Sequence, residues 1–154
     1  MTRAAVFVAT VGYIGYAPLA PGTVGSAAGL ALFVLLRAIG IPWLEPAVIV
    51  VLFVAGAWAG NHAERFFGGI DPQPVVIDEV LGMLLTLMLV PVSAAGAILG
   101  FFVFRALDIV KPWPARRLEN LPGGVGVMAD DAMAAAYGNV LMWLAVWYGP
   151  SWVS

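Results

Sequence analysis

Cysteine is absent from this chain, and histidine occurs once, at His62. The first absence removes disulfides, thiolate metal sites and cysteine nucleophiles together. The second removes any site that needs two imidazoles from one chain. Charge is also scarce: 10% of the 154 residues are Asp, Glu, Lys or Arg, against about 25% in a soluble domain. The net charge of −2 leaves no basic excess to hold a nucleic-acid backbone. Chemistry must therefore rest on carboxylates, Lys, Arg and hydroxyls.

What the chain has in abundance is apolar surface. The apolar fraction is 62% and the mean hydropathy is +0.98. So few charges cannot coat a globule of this size, and intrinsic disorder is excluded by the same composition. The composition predicts an all-α, compact integral membrane bundle, formed as one domain over 1–154. Uncharged runs occupy 4–36, 46–63, 80–104 and 132–154, lengths at which bilayer spans become possible.

Proline and glycine punctuation divides these runs into about five helices, near 23–39, 46–67, 77–90, 94–110 and 130–148. Pro91 leaves open whether the third and fourth are two helices or one kinked helix. The third has only about 17 Å of apolar length after Glu79. The first seventeen residues, with one Arg before an apolar stretch, read as a helical or re-entrant segment, or as a signal peptide. Trp43, Trp113, Trp147 and Trp152 fall near helix ends, as an interfacial belt would.

If the five helices alternate in direction, one face collects five of the seven basic residues: Arg65, Arg105, Lys111, Arg116 and Arg117. It also collects eight of the nine acids: Glu64, Asp71, Asp78, Glu79, Asp108, Glu119, Asp130 and Asp131. The opposite face keeps Arg37 and Glu45. The basic bias places the charge-dense face in the cytoplasm.

On that face, Asp78 and Glu79 open the third helix, and Asp130 and Asp131 open the fifth. Asp108 lies near the end of the fourth, three residues from both Arg105 and Lys111, so the three share a helical face. A single Asp at a helix start can be only a cap. One cap per helix suffices, however, and two acidic pairs around an Asp-x-x-Lys element would repel without a cation between them. Mg²⁺ takes oxygen ligands of this kind and leaves room for substrate phosphate. Glycine turns at 20–26, with Gly22, Thr23 and Ser26, and at 122–126 allow close backbone approach to an anion, or are tight surface turns. His62 and Asp71 read as supporting residues or as structural ones.

Four ordered stretches are similar to one known family: APGTVGS at 20–26, VVIDEVLGM at 75–83, FRALDIVKPWP at 104–114 and GGVGVMADD at 123–131. With Asn61-His62 and Asp71, they make the chain resemble phosphatidylglycerophosphatase A, a bacterial phospholipid phosphatase, over roughly 17–138. The resemblance implies an all-α fold in the bacterial inner membrane, Mg²⁺ dependence, and hydrolysis of phosphatidylglycerophosphate to phosphatidylglycerol and phosphate.

On that reading Asp78, Glu79, Asp108, Asp130 and Asp131 are the expected metal ligands. Arg105, Lys111, Gly22, Thr23 and Ser26 are expected to bind the substrate. Asp131, Asp78, Asp108 and Lys111 are expected to carry catalysis, with Asp131 the first choice of essential acid. Water attack and an aspartyl-phosphate both remain open. Two alternatives differ in class: a small transporter or ion-path subunit using the same acids, and a family relative acting on another phosphomonoester. Acids at helix ends on one side, not at midplane, disfavour the first.

Overall fold

Prolines and glycines cut the apolar chain into helices for local reasons. Pro21 starts α2, where its missing N–H costs nothing, and Gly40 and Gly68 end α2 and α3 in the left-handed conformation. Ser93 caps α5 by accepting the Gly96 N–H (3.0 Å). The computed structural model of the chain describes residues 2–69, 72–118 and 121–154. Among these, all helices are α1 Thr2–Ala9, a 3₁₀ turn Ile14–Tyr16, α2 Pro21–Ile39, α3 Leu44–Phe67, α4 Ile77–Leu87, α5 Ala94–Val110, α6 Ala115–Leu118 and α7 Gly124–Tyr148. No strand occurs among the described residues.

The all-α expectation holds, with differences in detail. There are seven described α-helices instead of about five, the additions being α1 and the short α6. Residues 77–110 form two helices: α4 stops at Leu87, and Leu89 takes φ 62° before Pro91. The larger correction concerns α7. It begins at Gly124, so Asp130 and Asp131 lie in its second turn and do not open it. The glycines that read as a loop are helical because two helices meet there. A Cβ on Gly60 would lie 2.7 Å from the Gly124 Cα, and one on Gly124 would strike the Ala57 carbonyl.

The five longer helices alternate as expected. At one end, Gly22 of α2 adjoins Glu79 of α4 and Arg105 of α5, while Lys111 beyond α5 pairs with Asp130 of α7. At the other end, Arg37 of α2 meets Glu45 of α3 at 3.3 Å and carbonyls at and just past the end of α4. Among the described residues, two helices, α2 and α3, are long and apolar enough to cross a membrane, and most of each is not buried in the bundle.

At the centre is α4, about 16 Å long at 1.5 Å per residue and too short to cross a bilayer. All its residues but Glu79 and Leu85 are buried, packed chiefly against α2 and α7. Its C-terminal carbonyls end inside the protein and need donors. Asn139 Nδ2 donates to Leu85 O (3.2 Å), Thr86 O (3.3 Å) and Met88 O (2.9 Å). Arg37 Nη2 donates to Leu87 O (3.4 Å) and Val90 O (3.0 Å).

Candidate active site

The charged end of the bundle is built from three helix termini and the second turn of α7. α4 enters with Asp78 and Glu79 in its first turn. α7 contributes Asp130 and Asp131, and the last turns of α5 contribute Arg105 and Asp108. Exposure is 4% for Asp78, 8% for Asp108, 1% for Asp130 and 2% for Asp131. Carboxylates are rarely buried this far unless paired or holding a cation.

Three of them converge. One carboxylate oxygen each from Asp78, Glu79 and Asp131 lies within 4.8 Å of the others. Glu79 Oε2 and Asp131 Oδ2 are buried with no hydrogen-bond partner. Burial, together with the charges of Asp131 and Asp108, pushes the Glu79 carboxyl up to about 7, although Asp78 and Arg105 act the other way. An all-oxygen donor set with buried oxygens left open fits a hard divalent cation.

The remaining acids have cations of their own. Arg105 Nη1 donates to Asp108 Oδ2 at 2.5 Å, and Lys111 Nζ bonds Asp130 Oδ2 and lies 3.7 Å from Asp131 Oδ1. Burial opposes the Lys111 charge, but the Asp130 bond and the charges of Asp131, Asp130 and Asp108 hold its ammonium above the usual range. Lys111 is placed by the left-handed backbone (φ 44°) that ends α5. Of the five expected ligands, the structure thus groups three and gives the other two basic partners.

The α2 turn closes the site. A Cβ on Gly22 would collide with Glu79 Oε1 and stand 3.3 Å from Arg105 Nη1. Any side chain there would have to push the ends of the Glu79 and Arg105 side chains aside. Ser26 Oγ donates to Gly22 O (2.9 Å) and accepts from Arg105 Nη1 (3.4 Å). Pro21 has no N–H, and the amides of Thr23 and Val24 are used by Ala20 O. That leaves the Gly22 amide as the first-turn N–H not used by Ala20 O, on a residue whose Cα side adjoins Glu79 and Arg105. Thr23 sits half-buried beside it.

His62 does not join this group among the contacts described. Its Nδ1 pairs with Trp58 O (2.9 Å) and its ring packs on Trp58. Asp71 and Glu119 lie outside the described residues. Asn61 has a role that its sequence neighbourhood alone did not assign. Its Oδ1 accepts the Gly124 N–H (3.0 Å) and so caps the helix carrying Asp130 and Asp131. Its place in the Asn-His pair of the family resemblance was the available signal.

Comparison with known proteins gives a consistent result. Residues 7–146 match the family model described as phosphatidylglycerophosphatase A. A Bacteroides thetaiotaomicron protein named "Putative phosphatidylinositol-3-phosphatase" is 41% identical over 86% of this chain and 87% of its own. Escherichia coli phosphatidylglycerophosphatase A is 36% identical over 78% of this chain and 70% of its own. The Haemophilus influenzae protein of the same name is 34% identical over 80% and 77%. No solved structure matches the chain.

Proposed function

The chain belongs to the phosphatidylglycerophosphatase A family, and from that premise we propose that it hydrolyses the terminal phosphate of phosphatidylglycerophosphate. The products are phosphatidylglycerol and inorganic phosphate, a step of phospholipid biosynthesis. The observation carrying this reading is the convergent Asp78–Glu79–Asp131 group, with Asp78 and Asp131 buried and Arg105 and Lys111 beside it. Acids with open oxygens and adjacent fixed cations are what a phosphomonoester needs. A transporter path gains nothing from their confinement to one end.

Asp78, Glu79 and Asp131 would hold Mg²⁺, with Asp108 and Asp130 next to them. The cation would screen phosphate charge and lower the pKa of a water. Arg105 and Lys111 bind the phosphoryl oxygens, each already oriented by its carboxylate partner. The Gly22 amide donates to a further oxygen at the α2 N-terminus, with Thr23 and Ser26 lining the turn. Asp131 Oδ2, lacking a hydrogen bond, takes the proton of the attacking water. The P–O bond to the glycerol then breaks, the departing oxygen takes a proton from solvent water, and the alcohol leaves as lipid product. Arg105, Lys111 and Gly22 stabilise charge on phosphorus throughout, which is where phosphoryl transfer is won.

The protein sits as one multi-pass domain in the bacterial inner membrane, its charged face in the cytoplasm. The apolar exposed helices and basic bias support this placement. A second reading keeps the chemistry and changes the headgroup to a phosphorylated inositol lipid, favoured by the 41% identity to the Bacteroides protein. Phosphate release by purified protein in detergent, with Mg²⁺ or EDTA, decides between them. Release from phosphatidylglycerophosphate alone supports the first, and release from phosphatidylinositol 3-phosphate alone supports the second. Failure on both, with protein shown folded, overturns the phosphatase reading.

A further inference from the structure

The far end of the bundle holds a second polar site, remote from the acids just described. A cavity of about 330 Å³ opens there, lined by Leu36, Arg37, Ile41, Glu45 and Leu89 among others. It contains an ion pair, Arg37 Nε to Glu45 Oε2 at 3.3 Å. Glu45 is only 6% exposed, and its Oε1 has no hydrogen-bond partner. An orphaned buried carboxylate oxygen is costly and calls for a donor. Arg37 gives Glu45 only its Nε–H, to Oε2; its Nη2 is committed to Leu87 O and Val90 O, and its guanidinium carbon lies 4.9 Å from the centre of the Phe33 ring. Its side chain is nevertheless 41% exposed, so the guanidinium keeps an open edge. Leu89, which lines the cavity, is 60% exposed, and Trp43, next in sequence to the lining residue Pro42, is 68% exposed, as residues at a lipid headgroup boundary are.

We propose that this cavity binds the headgroup of a zwitterionic phospholipid with a primary ammonium, its phosphate on the open edge of Arg37 and its ammonium donating to Glu45. The charge order matches. The fixed cation suits the phosphodiester, and the open carboxylate oxygen suits an N–H donor. The soft terminal torsion of Glu lets the carboxylate turn Oε1 toward the cavity. A quaternary ammonium has no N–H to give, and an anionic headgroup leaves Glu45 facing hydroxyls at best. Because Arg37 also holds carbonyls at and just past the end of α4, an occupied site stabilises the whole bundle.

The test compares thermal unfolding of the purified chain in detergent after adding phosphatidylethanolamine, phosphatidylcholine or phosphatidylglycerol. Phosphatidylethanolamine should raise the midpoint by about 3 °C more than either other lipid, and Glu45→Gln should remove that difference. Equal shifts for all three lipids, or a full advantage kept in Glu45→Gln, overturns the proposal. The wild-type chain offers an independent measurement should the variant misfold. Carbodiimide treatment in phosphatidylethanolamine micelles should couple the lipid amine to Glu45 as an amide, with loss of water to the reagent, and mass spectrometry locates the adduct. An unmodified Glu45 under conditions that label other carboxylates overturns it equally. None of these readouts depends on phosphatase activity.

Discussion

The two ends of α4 face opposite problems. At its C-terminus, buried carbonyls receive five donated bonds, three from Asn139 and two from Arg37. At its N-terminus, Glu79 Oε2 and the neighbouring Asp131 Oδ2 are buried with no donor. One short helix thus runs from an end whose backbone carbonyls are satisfied, although Thr86 Oγ1 there has no partner, to one where buried carboxylate oxygens are not. The satisfied end does the structural work. The unsatisfied end carries a standing electrostatic cost, which a scaffold would have no reason to keep and a cation- and phosphate-binding site does.

Substitution at the two ends should therefore move different observables. The largest effect belongs to Asp131→Asn, which should cut phosphate release about a thousandfold, several kcal/mol at about 1.4 per tenfold. Its melting temperature without metal should stay level or rise, because a buried like-charge contact is removed. Near-normal turnover in a folded Asp131→Asn protein would sink the assignment. Gly22→Ala comes next. Its methyl must displace Glu79 and Arg105, so activity should fall by about a hundredfold while helical circular dichroism is retained. Asn139→Ala reverses the pattern: about 1–3 kcal/mol of stability should go with the lost donor. In that variant, kcat measured well below the melting temperature should change by less than about threefold. A loss of activity without loss of stability would break the comparison.

The smallest effect is a pH dependence. Glu79 ionises at about 7 in the folded chain against 4.5 ordinarily. Between these values the metal-free folded state keeps a proton that the unfolded state has released. Stability contributed by this group therefore falls as pH rises from 4.5 toward 7. A divalent cation replaces that proton, so the gain in melting temperature on adding Mg²⁺ over EDTA should grow across the same window. A gain that shrinks with rising pH would place the cation elsewhere.

Much of this was legible from residues alone. Pro112 ends a helix for steric reasons that act locally, while the helix expected to reach Val90 before Pro91 stops at Leu87, and the placement of charge on one face follows from counting helices. The acidic pairs around Asp108 and Lys111 were visible because ionisable residues are rare in so apolar a chain. The start of α7 was not visible. Glycines at 124 and 126 signal a loop unless a partner helix lies against them, and that partner is Gly60 of α3. Asn139 and Arg37 were also hidden, since the carbonyls they serve lie 50 or more residues away. The Arg105–Asp108 pair, three residues apart on one helix, was legible locally, whereas the Lys111–Asp130 pair, 19 residues apart, depended on tertiary placement.

The dependence of α4 on Asn139 also has a temporal side. Asn139 lies 51 residues beyond Met88, so a ribosome adding roughly 5–20 residues per second reaches it several seconds after α4 is complete. During that interval the central helix exists without three of its terminal bonds and without Asp131 beside Glu79. The site is therefore completed late in synthesis, when α7 arrives and supplies its missing acid and the anchor of the helix opposite in one movement.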